Sequence, residues 1–182
     1  FRLGLLYLEK EEYRIAIGYF QKVINQFPEQ AILDASYYYL GFCHYQLREY
    51  RTAARNFSLL LSGFPESSFG EQAYFYQGEA TWYAEDFSKA LNAYTELFRR
   101  YPTGKYSLAS LFRIGESQYR MGNYAEAAET YKKFLSEEEK WLGQSEDIQS
   151  FGDFKNSLEQ AYYHLGRTYV ALKDREKAIS AF

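Results

Sequence analysis

Residues 41–65 read GFCHYQLREYRTAARNFSLLLSGFP, and residues 78–102 read GEATWYAEDFSKALNAYTELFRRYP. Both stretches open on glycine and close on an aromatic residue followed by proline. Residues 4–28, GLLYLEKEEYRIAIGYFQKVINQFP, keep the same frame. The three prolines of the chain, Pro28, Pro65 and Pro102, are thus 37 residues apart, and each follows its glycine (Gly4, Gly41, Gly78) by 24. Gly115 continues the beat, although Glu139 stands where its proline would fall. A period of about 20–50 residues marks an array of stacked units rather than one central core.

With the glycine set as column 8, the units cover about 1–28, 34–67, 71–104, 108–139 and 159–182. Gly166 follows Gly115 by 51 residues, so 14 extra residues lie between the fourth and fifth units, as an insertion at about 140–154. Column 7 is Leu3, Leu40, Gln77, Ile114 and Leu165. Column 10 is small in Cys43, Ala80, Ser117 and Thr168. Column 20 is always alanine (Ala16, Ala53, Ala90, Ala127, Ala178), and column 24 is always aromatic (Phe20, Phe57, Tyr94, Tyr131, Phe182). Column 28 is Ile24, Leu61, Phe98 and Leu135. Large and small residues alternating at helical spacing predict two closely packed helices, A and B, in each unit. Asp86, Asn123 and Asp174 are expected to cap helix B. Proline ends helix B because it lacks an N–H and disfavours helix in the residue before it.

These columns resemble the tetratricopeptide repeat, as does a further aromatic column 17 (Tyr13, Tyr50, Phe87, Tyr124). The resemblance covers nearly the whole chain. It implies an all-α fold, a right-handed α-solenoid of about five helix-turn-helix units with the first and last truncated. Column 11 departs from the family's usual tyrosine at His44, Thr81 and Gln118, and column 17 departs at Arg175. The period also exceeds the family's usual length of about 34. With Phe64-Pro65-Glu66-Ser67 and Tyr101-Pro102-Thr103-Gly104, that longer turn is similar to units of bacterial envelope proteins of the BamD and Tol–Pal-associated type. This implies a non-catalytic protein- or peptide-binding scaffold in the periplasm or at the outer membrane. A cytoplasmic adaptor or secretion chaperone is the first alternative. A substrate- or glycan-holding arm, serving a catalytic domain outside these residues, is the second.

Composition narrows the chemistry. A net charge of −3, with 21 Lys+Arg scattered among 24 Asp+Glu, offers no basic footprint for nucleic acid. Cys43 stands alone, which excludes an intramolecular disulfide and a thiolate zinc cluster. No apolar run reaches the length of a membrane span. His44 and His164 are 120 residues apart. No catalytic constellation, metal set or cofactor motif is present, so none is expected. His44 is expected in the interhelix core, His164 at a surface or between units, Cys43 as a buried space-filler, and Glu137, Glu138 and Glu139 at a solvated helix end.

In the family, columns 2, 5, 9, 12 and 13 of helix A line a concave groove. Carried over, these are Tyr38, Phe42 and Tyr45, then Phe75, Glu79, Trp82 and Tyr83. They continue as Phe112, Glu116, Tyr119 and Arg120, then Tyr163 and Arg167, with Gln46, Gln72 and Gln160 beside them. Columns 5, 9 and 12 share one helical face. Two readings follow: a groove gripping an extended or helical peptide through aromatic anchors, or aromatics that pack on the neighbouring helix A. The lysine and asparagine clamp of chaperone-binding repeats is absent, since those columns hold Tyr38 with Phe42, Phe75 with Glu79 and Phe112 with Glu116. The insertion carries Trp141, Phe151 and Phe154, read either as a docking element or as an extended helix B followed by a loop. The sequence starts without Met and stops in mid-pattern at Phe182, which reads as an excerpt with flanking repeats and predicts end-to-end self-association through its truncated ends.

Overall fold

A computed structural model describes residues 1–27, 31–142 and 151–182, with side chains for all of these except 138–142 and 151–157. Its packing forms two compact units, Phe1–Arg100 and Tyr101–Phe182. The first holds α1 (Arg2–Glu9), α2 (Tyr13–Gln26), α3 (Leu33–Gln46), α4 (Tyr50–Gly63), α5 (Gly70–Tyr83) and α6 (Phe87–Arg100). The second holds α7 (Ser107–Arg120), α8 (Tyr124–Leu142), α9 (Phe151–Ala171) and α10 (Arg175–Ala181). Within each unit every helix packs on the next in sequence; α3 also touches α5, and α7 touches α9. Odd-numbered helices are the A helices and even-numbered ones the B helices.

The spacing between A and B is set by a contact that recurs in every repeat. A Cβ placed on Gly4, Gly41, Gly115 or Gly166 would lie 2.7, 2.9, 2.8 or 2.7 Å from the ring of Phe20, Phe57, Tyr131 or Phe182, and Gly78 is still closer to Tyr94. No L side chain fits there, so column 8 has to be glycine while column 24 is a ring. Around this contact the alanines of column 20 are buried, Ala16, Ala53, Ala90 and Ala127 completely. Phe20, Phe57, Tyr94 and Tyr131 are also fully buried, whereas Phe182, the last residue, is 68% exposed.

Two further columns complete the core. Column 3 is Ser36, Ala73, Ser110 and Ala161, all fully buried. Column 27 is Val23, Leu60, Leu97 and Phe134, buried more deeply than the half-exposed column 28. The buried serine and threonine hydroxyls of columns 3 and 10 are satisfied by carbonyls three or four residues back. Ser36 Oγ donates to the Ile32 carbonyl at 2.7 Å, Ser110 Oγ to Ser107 at 2.6 Å and Thr168 Oγ1 to His164 at 2.7 Å. Small polar residues therefore serve in the core without orphaned groups. Cys43 is fully buried, as expected, and burial pushes its thiol up to about 12.

Each A–B turn is one Schellman motif. The residue in column 15 is left-handed, with φ of 60, 59, 61 and 60° at Glu11, Arg48, Glu85 and Lys173, and 83° at Gly122. The next N–H reaches back to column 11, as in Glu12 to Tyr7, Glu49 to His44 and Asp86 to Thr81, each at 2.9 Å. That 6→1 bond caps the orphan carbonyls of helix A and reverses the chain in a few residues. Asp86 and Asp174 cap helix B as expected, each accepting from the N–H three residues on at 3.2 Å. The B helices stop two residues before Pro65 and Pro102. Phe64, held off-helical by Pro65, has φ −138° and ψ 67°. In the turn that follows, Ser67 Oγ donates to Asp34 at 2.7 Å and accepts from Phe69 N at 3.1 Å, tying the end of the second repeat to its start.

The inserted residues lengthen two helices. α8 has 19 residues and α9 has 21, against 14 in each of α2 through α7.

The glycine contact makes a paired prediction. Gly41→Ala drives a methyl into Phe57 and should destabilise the chain by about 1–3 kcal/mol. Gly18 lies inside α2, where an added methyl would meet nothing within 4 Å. Gly18→Ala should therefore stabilise by about 0.5–1 kcal/mol through helix propensity. Urea denaturation of both variants measures this, and equal shifts would contradict it.

Candidate peptide-binding surface

In the first unit the helix-A aromatics form a connected ladder. Tyr38 stacks on Phe69 at 4.8 Å, and it lies 6.4 Å from both Phe42 and Tyr76. Phe42 meets Tyr76 edge-on at 5.3 Å, and Tyr45 does so at 5.4 Å. Tyr45 also meets Tyr50 at 5.7 Å, and Tyr50 stacks on Tyr83 at 5.1 Å. Trp82 is edge-on to Tyr83 at 5.4 Å and to Phe87 at 5.8 Å, while Phe75 packs on Tyr76 and Tyr94. Tyr76, in column 6, is the hub joining α3 to α5, and sequence reasoning passed over it. Offset and edge-on pairs of this kind add about 0.5–1.5 kcal/mol each beyond area burial. Most of these rings are half-buried by one another; Tyr83 is exposed, at 44%. Burial, and secondarily the charge of Glu79, pushes the Tyr45 hydroxyl well above the usual phenol range.

Glu79 does not face a groove. It is buried, and its Oε1 accepts from the Tyr94 hydroxyl at 2.6 Å. The ring of column 24 is tyrosine where column 9 is glutamate (Glu79 with Tyr94, Glu116 with Tyr131). It is phenylalanine where column 9 is Leu5, Phe42 or Arg167. At Glu79 the tyrosine hydroxyl supplies the donor that a carboxyl group taken between the helices requires.

In the second unit Glu116 takes a different partner. It accepts from Arg113 Nη1 at 2.7 Å and lies 3.9 Å from His164 Nε2. His164 is inserted between rings, stacked on Tyr131 at 5.8 Å and edge-on to Phe112 at 5.8 Å. It thus sits at the α7–α8–α9 junction inside the unit. Its Nδ1 and the Tyr131 hydroxyl are buried with no hydrogen-bond partner among the described residues. Burial lowers the His164 imidazole below its ordinary value, opposed by Glu116, and raises the Tyr131 hydroxyl. The Arg167 guanidinium lies 5.3 Å from the Tyr119 ring and 5.7 Å from Tyr163, which is 52% exposed. Arg120 is exposed at the end of α7.

His44 is buried as expected, its Nδ1 2.6 Å from Glu49 Oε2. Among the described residues no group of His, Cys, Asp or Glu could hold a metal, and no helix is long and apolar enough to cross a membrane. The side chains of Trp141, Phe151 and Phe154 lie outside the described residues.

Two outcomes follow. A double-mutant cycle on Glu79→Ala and Tyr94→Phe should give a coupling of about 1–2 kcal/mol in chemical denaturation; additive losses would contradict the pair. For His164 the folded state disfavours the proton, so the unfolded chain binds it first on acidification. Stability is then present above the unfolded value of about 6.5 and is lost as pH falls towards the lowered folded value. The fall in Tm between about pH 7.5 and 5.5 should be shallower in His164→Phe than in the native chain, whereas equal slopes would contradict this.

Comparison with known proteins agrees with the repeat geometry. Three family profiles, each described as tetratricopeptide repeat, match residues 1–29 and 35–67, residues 75–141, and residues 159–182. No curated protein sequence matches the chain. Among solved structures, MamA matches with a TM-score of 0.75 at 18% identity, over 98% of this chain and 90% of that one. MamA from Desulfovibrio magneticus RS-1 matches at 0.74 and 15% identity, over 100% and 88%. YrrB, described as a TPR protein with an unusual peptide-binding site, matches at 0.74 and 18%, over 99% and 79%. The all-α solenoid fold expected from the columns is thereby established. The chain belongs to the tetratricopeptide repeat family.

Proposed function

We propose that this protein is a non-catalytic scaffold that binds an extended segment of a protein partner along the helix-A face of its repeats. The observation that carries this reading is the exposure that the helix-A rings retain. In the first unit the interlocked rings reach Tyr83, which is stacked on Tyr50, edge-on to Trp82 and still 44% exposed. In the second, Tyr163 is exposed and shares Arg167 with Tyr119. Rigid rings left partly exposed, held by neighbours that are already ordered, lose little entropy on binding. An arginine on the same surface can read a carboxylate or a backbone carbonyl. The inner rings, Tyr38, Phe42 and Phe75, support this edge by packing. The peptide-binding site for which YrrB is described is a precedent on a similar fold.

The 37-residue period and the proline turns favour a scaffold of the bacterial envelope, in the periplasm or at the outer membrane, over a cytoplasmic adaptor. Fractionation of the full-length protein in its host tests that location: recovery in the cytosol would refute it.

Binding is tested by selecting peptides from a random array on the native chain and remeasuring them on Tyr83→Ala and on Tyr163→Ala with Arg167→Ala. All three side chains are exposed, so the fold should survive. Loss of about tenfold or more in affinity for peptides held at each patch is expected. Peptides that bind every variant equally, or a chain that selects glycans and no peptides, would overturn the reading.

A further inference from the structure

One cleft of the first unit lies away from the aromatic ladder, between helices α4 and α6, with α5 as its floor. Its volume is about 780 Å³, and no ring of the ladder lines it. That size suits a few residues of a partner chain.

Two departures from the repeat pattern meet there. The first is in the floor. Column 7 is buried and aliphatic at Leu40, Ile114 and Leu165, while Leu3 of the first repeat is aliphatic and exposed. In α5 it is Gln77, half-buried and lining the cleft, its amide without a hydrogen-bond partner among the described residues. A neutral amide at that level offers both a donor and an acceptor to a peptide backbone. The second is on the rim. One repeat earlier, Arg14 pairs with Glu49 at 3.7 Å. The corresponding residues are Arg51 and Asp86, but Asp86 is taken by Lys89 Nζ at 2.6 Å and feels Arg51 only as a minor, longer-range charge. Glu96, the other carboxylate lining the cleft, is taken by Arg99 at 2.7 Å and Arg100 at 3.3 Å. Arg51 and Arg55 are exposed on this rim, neither within ion-pair distance of a carboxylate among the described residues. A chain of net charge −3 thus presents here two guanidinium groups with their donors open, above a largely apolar lining that carries the Gln77 amide.

We propose that the α4–α5–α6 cleft is a second docking site, for a short acidic segment of a protein partner. Its carboxylates meet Arg51 and Arg55, and its backbone meets Gln77. Guanidinium forks suit carboxylates in geometry as well as in charge. This site uses none of the residues on which the helix-A face depends, so the two stand or fall separately.

The test is fluorescence anisotropy with a rhodamine-labelled decapeptide of glutamate and alanine, against the same peptide with lysine for glutamate. The acidic peptide should bind and the lysine peptide should not. Arg51→Glu with Arg55→Glu should weaken binding at least tenfold. Gln77→Leu restores the residue type of its column, so it should keep the melting temperature while weakening binding about threefold or more, as loss of one hydrogen bond would. An equal charge change elsewhere in the unit, Arg2→Glu with Lys22→Glu, should leave binding unchanged, as should Tyr83→Ala. The proposal is overturned if the acidic peptide does not bind at sub-millimolar concentration. It is equally overturned if the Arg2 and Lys22 changes weaken binding as much as the Arg51 and Arg55 changes, or if the chain binds anionic lipid vesicles and not the peptide.

Discussion

The structure depends on one contact: a helix-A glycine pressed against a helix-B ring. At 2.7–2.9 Å from a Cβ position to Phe20, Phe57, Tyr131 and Phe182, it leaves no room for any side chain on helix A. That fixes how closely A and B approach. The neighbouring columns then follow, because only small residues (alanine, serine, threonine or, once, Cys43) fit beside helices held so near. The serines and threonines survive burial because each returns its hydroxyl to a carbonyl three or four residues back. With the A–B contact occupied by small residues and the column-24 ring, and column 27 (Val23, Leu60, Leu97, Phe134) buried beside it, the helix-A aromatics of the first unit pack between successive A helices.

That division of labour explains the ladder. Tyr38, Phe42, Tyr45 and Tyr76 do not project freely; each is half-covered by another ring. Stiff, preassembled aromatic surfaces are good binding platforms because little freedom remains to be lost. Within the first unit Tyr83 is exposed, and within the second Tyr163, beside Arg167, is exposed as well. Charge is arranged on a different surface, the cleft between α4 and α6, where local ion pairs consume the carboxylates and leave arginines over.

Much of this was legible in the sequence, because repetition averages out local noise. Glycine, alanine and aromatic columns that agree across five units carry more weight than any single propensity. What was not legible has particular causes. Columns 27 and 28 are both apolar, so Leu60 and Leu61 cannot be ranked by period alone, yet only Leu60 is fully buried. Glu79 sits in a column that lines grooves elsewhere in the family; its burial depends on the Tyr94 hydroxyl, 15 residues on and on another helix. The signal existed at Tyr94, where tyrosine replaces the phenylalanine of the preceding repeats opposite Glu79, but it appears only when two columns are compared. The left-handed turn residue is hidden in the same way, since Glu11, Arg48, Glu85 and Lys173 occupy a position that glycine marks only at Gly122. His164, expected at a surface or between repeats, does lie between the fourth and fifth; which rings hold it was not legible, because Phe112 and Tyr131 come from other helices.

The most direct test of the account is a double-mutant cycle on the contact itself, Gly41→Ala with Phe57→Leu, followed by chemical denaturation. If the ring is what excludes the methyl, the smaller leucine relieves the clash. The double variant should then be more stable than the two single losses predict, by about 1 kcal/mol or more. Losses that add to within about 0.5 kcal/mol would show that glycine and ring act independently, and the contact would not be what sets the repeat.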